Sequence, residues 1–573
     1  MFVRTTIDKI VEILETRRNI YLHELAAQLK AKEDVVEKIL LAMEKRGIVS
    51  IHYPPLPFQK PYASLEKAMP PKSEEKPRGR VLDKYDIEAF GGHLVATVNI
   101  VFDEKELAPR YYLYPPLFSH YGEIYLEYVK DEVARILPPE STQMSDVERK
   151  SEVLLKRCSV TESILGSLGE ANMKVVCGFI SYKMFGLGDM EDLLSDDNVE
   201  EVIINTSQTP ISLYHKKFGW MKSNVFLRGE DETANYASQI GRRVGRQITS
   251  LAPLLDAHLI SGDRVNATLY PISRRGNTIT IRRFSRDPWT VVKFIKNRTI
   301  APELASMLWQ AIHYELNILV VGGTASGKTS LLNTISNFIP TSQRIITIED
   351  TRELVLSASH WNWVPMVSRL PNPEGLGEVT MLDLMINSLR MRPDRILVGE
   401  IREKTQAQVL FEAMHTGHSV YSTMHADTAS EALRRLTEAP IEVPVIELES
   451  IDLIVSQFRD RKKNIRKTFE VSEIAEFVEK PSVNHIYQWR ARNDSFERVN
   501  EPKRYIESLN LHTGMTAREI ASDASEKTKV LEWMAKFGVE DVDSIGRVIK
   551  TYYKEPSALL AAIEKGQPPA KVI

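Results

Sequence analysis

The chain has 573 residues, with 74 Lys and Arg against 77 Asp and Glu and a formal net charge of −3. That length exceeds what one hydrophobic core holds and predicts several domains. The near-neutral balance demands no nucleic-acid partner. The two cysteines, Cys158 and Cys177, form no C-x-x-C pair, which argues against zinc clusters and a disulfide framework and fits a reducing compartment.

No run of about eighteen apolar residues occurs, so no segment reads as membrane-spanning. Asp8, Lys9, Glu12 and Glu15 interrupt the apolar core that a signal peptide would need. The expectation is a soluble, cytoplasmic chain whose membrane role runs through a partner.

Residues 1–53 read as a winged helix-turn-helix-like unit. Ile7, Ile10, Val11 and Leu14 recur at helical spacing, Leu22 to Leu29 is a second helix, and Glu33 to Arg46 a third that Gly47 stops. Ile48 to Tyr53 is a strand. DNA binding and protein docking are the two readings of such a unit. The stretch from Lys32 to Lys38 carries Glu33, Asp34 and Glu37 against two lysines, and a groove-reading helix should be net basic, which favours docking. In residues 54–80 seven prolines, Pro54, Pro55, Pro57, Pro61, Pro70, Pro71 and Pro77, exclude helix and central strand and predict a linker, extended to residue 85.

Residues 86–188 read as a mixed, mainly helical region: His93 to Phe102 alternates like a strand, and a helical stretch covers 121–187. Tyr111, Tyr112, Tyr114, Tyr121, Tyr125 and Tyr128 cluster between them, as an aromatic core, a docking surface or a ring-binding site. From 189 to 287 short strands alternate with one helix, Glu230 to Arg246, which predicts a compact α+β domain. Its end carries Arg264, Arg274, Arg275, Arg282 and Arg283, either a solvated basic face or a clamp on phosphates from a neighbouring domain.

Residues 288–500 hold the chemistry. Gly322-Gly323-Thr324-Ala325-Ser326-Gly327-Lys328-Thr329 is G-x-x-x-x-G-K-[ST]. The apolar strand Asn317–Val321 precedes it, and a helix beginning near Ser330 follows. The glycines let backbone N–H groups and the helix N-terminus face an anion. Lys328 is expected on the β- and γ-phosphates of ATP and Thr329 on Mg²⁺. Three further apolar strands end in polar groups: Glu349 with Asp350, Glu400, and His425. Carboxyl ends of such strands face the nucleotide crevice. Glu349 is expected to position or deprotonate the attacking water, and Glu400 to orient the metal's shell. Residues 501–573 read as a C-terminal helical region.

These stretches resemble the type II/type IV secretion ATPase superfamily, hexameric motors that assemble pili, secretion pseudopili and archaella. Ile348 to Glu353 resembles the family's aspartate box, Leu389 to Arg402 its atypical Walker B, and Thr416 to Asp427 its histidine box. The wording of Asn362-Trp363-Val364-Pro365 and His425-Ala426-Asp427 is nearest the archaeal branch. The resemblance implies that His425 senses the γ-phosphate, and that Arg264 and Arg282 are arginine fingers with Arg283 the alternate. It also implies a homo-hexamer at the inner face of the membrane, a polytopic membrane platform protein as partner, and prepilin-like subunits indirectly. Two departures stand out: Gly399 occupies the place of the usual Walker B aspartate, and the four-cysteine zinc module of bacterial members is absent. The fold class expected is multidomain α/β, a RecA-like P-loop domain preceded by a PAS-like α+β domain and a helical N-terminal region. A conjugation-type or nucleic-acid-linked ATPase is the alternative, and a regulatory ATP-binding module without turnover is a third reading, disfavoured by the complete set Glu349, Glu400 and His425.

Overall fold

Alternation of buried and exposed residues in the first half, and fully apolar runs in the second, build two different sheets. The computed structural model describes the chain apart from residues 1, 18, 46, 55–59, 67–78, 90–92, 105, 138–146, 168–171, 184–186, 188, 260–261, 285–287, 373–374, 461–462, 464, 476–480 and 573. It divides into two compact units, Met1–Phe284 and Ser285–Ile573; the sequence reading drew a line at 287/288.

In the first unit, helices Thr6–Thr16, Leu22–Leu29 and Glu33–Glu44 bury Ile7, Ile10, Leu14, Leu25, Val36, Ile39 and Met43 on their facing sides. Thr5 caps the first helix: its backbone N–H donates to Asp8 Oδ2 at 2.7 Å. Strands Asn19–Tyr21, Tyr62–Leu65 and Val49–His52 form an antiparallel sheet with Tyr62–Leu65 in its centre. This corrects the reading of 54–80 as unable to supply a central strand. Pro61 stops just before the strand, and Tyr62 to Leu65 contains no proline, so both edges are free to pair. The prolines at 55, 57, 70, 71 and 77 lie outside the described residues.

The remainder of this unit is organised by one nine-stranded sheet. Its order is Leu254–His258, Arg264–Thr268, Thr278–Arg282, Val199–Ile204, Ser212–His215, Gly219–Ser223, Ala108–Tyr114, His93–Asp103 and Arg80–Ala89. Gly219–Ser223 pairs in parallel with Ala108–Tyr114, so strands from both sides of the expected line at 188 share one sheet. The helical stretch resolves into His120–Ile136, Val147–Ser167 and Met173–Lys183. The tyrosines divide between two cores: Tyr111 is wholly buried in the core of the nine-stranded sheet, Tyr125 wholly and Tyr121 nearly so in the core of the N-terminal helices, while Tyr112, Tyr114 and Tyr128 are half-buried. The hydroxyls of Tyr85 and Tyr111 donate to Asp196 Oδ2 at 2.6 and 2.8 Å. Cys158 and Cys177 are buried free thiols.

In the second unit the sheet order is Trp363–Val367, Ile345–Glu349, Arg395–Val398, Ser419–Met424, Ile318–Gly322, Leu453–Asp460, Ile465–Ala475, Ser482–Arg490 and Ser495–Arg498. The first six run parallel and the rest antiparallel. The central parallel strands are buried at every position, which requires helices on both faces. Pro302–His313, Lys328–Ser336 and the C-terminal helices Ala517–Phe537 and Val542–Lys554 cover one face, with Trp309 stacked on Phe338 at 5.2 Å. Met381–Ser388, Lys404–His415 and Ala429–Thr437 cover the other. Among the described residues no helix is long and apolar enough to cross a membrane.

Candidate functional site

Parallel register brings the expected polar groups to one edge of the second unit's sheet. Val321 is level with Met424, Val398 with Ser422, and Ile348 with Val398. The residues that follow these positions, Gly322, His425, Gly399-Glu400 and Glu349, therefore leave the sheet at the same end, where helix Lys328–Ser336 begins.

The loop itself is shaped by close approach. Gly322 has φ +156°, and a Cβ there would lie 2.4 Å from Ser326 Oγ and 2.5 Å from Gln457 O. Ala325 at the apex has φ +59°. Lys328 Nζ donates to Gly322 O at 3.0 Å and Gly323 O at 3.1 Å, and lies 3.2 Å from His425 Nδ1. Burial holds the Lys328 ammonium pKa down, with Glu400 opposing it. Burial, then the Lys328 charge, lowers the His425 imidazole, which favours the neutral ring. With its hydrogen on Nε2, that ring accepts from Lys328 at Nδ1. Nε2 is 3.0 Å from Glu400 Oε1, close enough for attraction but not aligned for a straight hydrogen bond. Arg402 continues the chain, donating from Nε and Nη2 to Glu400 Oε2 at 2.9 and 2.7 Å and from Nη1 to Asp350 Oδ2 at 2.9 Å.

Glu349 stands apart from this relay. Only 2% exposed, its Oε1 accepts from the N–H groups of Glu353 and Leu354 at 2.9 and 3.1 Å, while Oε2 has no hydrogen-bond partner among the described residues. Burial pushes its carboxyl up to about 7. Gly399 now has a physical reason. A Cβ at that position would meet Glu349 Cγ at 3.3 Å and Ile348 O at 3.5 Å, so Glu349 on the adjacent strand crowds the place where a larger side chain would begin.

Thr329 and Ser330 open the helix and are half-buried. Thr329 and Glu400 offer hard oxygen donors, the type Mg²⁺ takes. Among the described residues no group of three His, Cys, Asp or Glu could hold a metal by itself.

The three arginines lie in the first unit. Arg264 and Arg282 are directly opposite on paired strands. Arg264, half-exposed, donates to Asp256 Oδ1 and Oδ2 at 3.3 and 2.9 Å. Arg282 is exposed, and Arg283 is not: its side chain is 7% accessible, and it donates to the carbonyls of Asp196 and Val199 and to Asp197 Oδ1. Arg283 is thus spent on its own unit. Sequence reasoning missed Asp350 and Arg402, which it quoted without a role, and Arg435, whose guanidinium donates to the His425 carbonyl. It also missed Arg466, whose Nε donates to Ala325 O at 3.1 Å. An arginine two residues after a site carboxylate was the available signal for Arg402; nothing in the sequence ties Arg435 or Arg466 to the loop.

Residues 246–530 match the family model described as type II/IV secretion system protein. An uncharacterized protein of Methanocaldococcus jannaschii, MJ0900, is 29% identical over 496 residues, covering 81% of this chain and 87% of its own. The probable conjugal transfer protein TrbB of Sinorhizobium fredii is 31% identical over 296 residues, 49% of this chain and 86% of its own. The type IV secretion system protein PtlH of Bordetella pertussis is 32% identical over 276 residues, 44% of this chain and 80% of its own.

Proposed function

The chain belongs to the type II/IV secretion system protein family, and from that membership we propose that it is a RecA-like P-loop ATPase, hydrolysing ATP to ADP and phosphate to drive a secretion or filament-assembly machine. The observation that carries the reading is the continuous contact of Lys328, His425, Glu400, Arg402 and Asp350 beside a buried Glu349. Phosphoryl transfer needs positioned charge more than covalent chemistry. Lys328 exchanges the carbonyls of Gly322 and Gly323 for phosphate oxygens, and the N–H groups of Gly323 to Ser330 surround the β-phosphate. His425 reports that exchange to Glu400, because its ring touches both. Thr329 and Glu400 would hold Mg²⁺, which would supply neutralisation of phosphate charge. Glu349 Oε2 orients the attacking water and takes its proton. Arg264 and Arg282 neutralise the γ-phosphate; Arg283 keeps its structural bonds.

The finer reading is a homo-hexameric motor of an archaeal pilus-like or archaellum-like filament, docked on a polytopic membrane protein at the inner face of the membrane. Stimulation of turnover by membrane extract supports it; stimulation by nucleic acid favours the conjugation-type alternative, which the likeness to TrbB keeps in play. The core test is Lys328→Ala in a steady-state ATPase assay. Turnover should fall by roughly two orders of magnitude, the scale of losing a preorganised charged donor. A variant with most of the wild-type rate sinks the proposal.

A further inference from the structure

The hairpin Leu453–Asp460 and Ile465–Ala475 flanks the P-loop strand on the side away from Ser419–Met424. Its outgoing strand runs beside the loop: Gly322 is level with Gln457. Its returning strand brings back Arg466, whose Nε donates to Ala325 O at 3.1 Å. Ala325 is the apex, held at φ +59°, a conformation a non-glycine residue keeps only when its surroundings enforce it. The Arg466 stem lies along the loop as well, since a Cβ on Gly327 would meet Arg466 Cδ at 3.6 Å.

Neighbouring side chains on a strand point to opposite faces, and here they divide the work. Lys467 is 4% exposed, pairs with Asp494 at 2.5 Å and donates to Arg298 O at 2.8 Å, so it is structural. Arg466 is half-buried on the loop side and uses only Nε; its two Nη groups have no partner among the described residues. The segment is basic throughout, with Arg459, Arg461, Lys462, Lys463, Arg466 and Lys467 against Asp460.

We propose that Arg466 is a second phosphate-gathering residue of this site, pinning the loop apex through Nε while its Nη groups face the polyphosphate of the bound nucleoside triphosphate. It works from the hairpin side of the loop, as Lys328 works from the side of His425. A guanidinium suits this double task, because one planar fork serves a carbonyl and an anion together. The proposal rests on the ATPase reading above and deepens it.

The test compares wild type, Arg466→Ala and Arg466→Lys in the full chain, by ATP-dependent turnover, by titration with a fluorescent ATP analogue, and by thermal unfolding without nucleotide. Arg466→Ala should raise KM and the analogue's Kd about tenfold, the loss of one charge-assisted contact, with kcat falling by less than KM rises. Arg466→Lys should recover only part of the loss, leaving both about threefold from wild type, since the charge survives but the planar fork does not. The unfolding midpoint without nucleotide should stay put. An Arg466→Ala chain that binds the analogue within twofold of wild type overturns the proposal. So does a loss that lysine does not reduce, or one accompanied by a lowered midpoint, because Arg466 would then be a prop for the hairpin. Wild type that neither binds the analogue nor hydrolyses ATP removes the ATPase reading, and this proposal goes with it.

Discussion

Water is kept from Glu349 while only one of its oxygens is compensated, and this holds the carboxyl up to about 7. A base with that pKa is half-ionised near neutrality, so turnover should climb as pH rises through about 7. Stability runs the other way. The folded pKa lies above the ordinary 4.5, so between these values the native state holds more protons than the unfolded one, and stability falls as pH rises through that window. The full cost is on the order of 3 kcal/mol above the window. Glu349→Gln keeps the Oε1 acceptor and removes the charge. It should bind ATP, lose most turnover, and unfold at a higher temperature than wild type at pH 8 but not at pH 5. An equal shift at both pH values would mean that charge burial is not the cause. The place of Glu349 was legible in the sequence because it ends an apolar strand beside the glycine-rich loop. The reason for Gly399 was not: it lies in the volume of a side chain on a neighbouring strand, which no local pattern encodes.

Elements were legible where burial is uniform and illegible where it is shared. Ile318–Gly322, Ile345–Glu349, Arg395–Val398 and Ser419–Met424 are apolar enough to declare themselves, because a parallel sheet buries both their faces. Ile465–Ala475 hides its strand character behind Arg466, Lys467, Glu470 and Glu473; among them Lys467 is paired by a contact distant in sequence, with Asp494. Trp363–Val367 contains Pro365, tolerated because the strand is the edge of its sheet. The contact between hairpin and P-loop gives the element-scale prediction. Gly322→Ala puts a methyl 2.5 Å from Gln457 O and 2.4 Å from Ser326 Oγ, so strand or loop must shift. Overpacking of this kind costs about 1–3 kcal/mol. The urea midpoint and affinity for ATP should fall together. Intact affinity with a lowered midpoint would show that the loop does not depend on this packing.

At the scale of the whole molecule, Glu349 and Glu400 belong to one compact unit and Arg264 and Arg282 to the other, split between Phe284 and Ser285. The second unit fastens its own beginning: Lys293 Nζ donates to Pro288 O at 3.4 Å, Thr334 Oγ1 to Trp289 O at 3.1 Å, and Thr290 Oγ1 to Glu540 O at 2.9 Å. Arg264 and Arg282 stand opposite one another on paired strands. In the proposed homo-hexamer, Arg264 and Arg282 serve a neighbouring subunit's nucleotide, through head-to-tail contacts of the kind that close into rings. Turnover should therefore rise more than linearly with protein concentration at low concentration. Subunits carrying Arg264→Ala lack the finger but keep the P-loop; those carrying Lys328→Ala lack the P-loop lysine but keep the finger. Mixed in equal amounts, they should recover activity absent from either alone, because some interfaces then join an intact finger to an intact P-loop. Recovery should vanish when both substitutions are placed in every subunit. If mixing restores nothing while both variants still assemble, each subunit uses its own arginine and the neighbour reading falls.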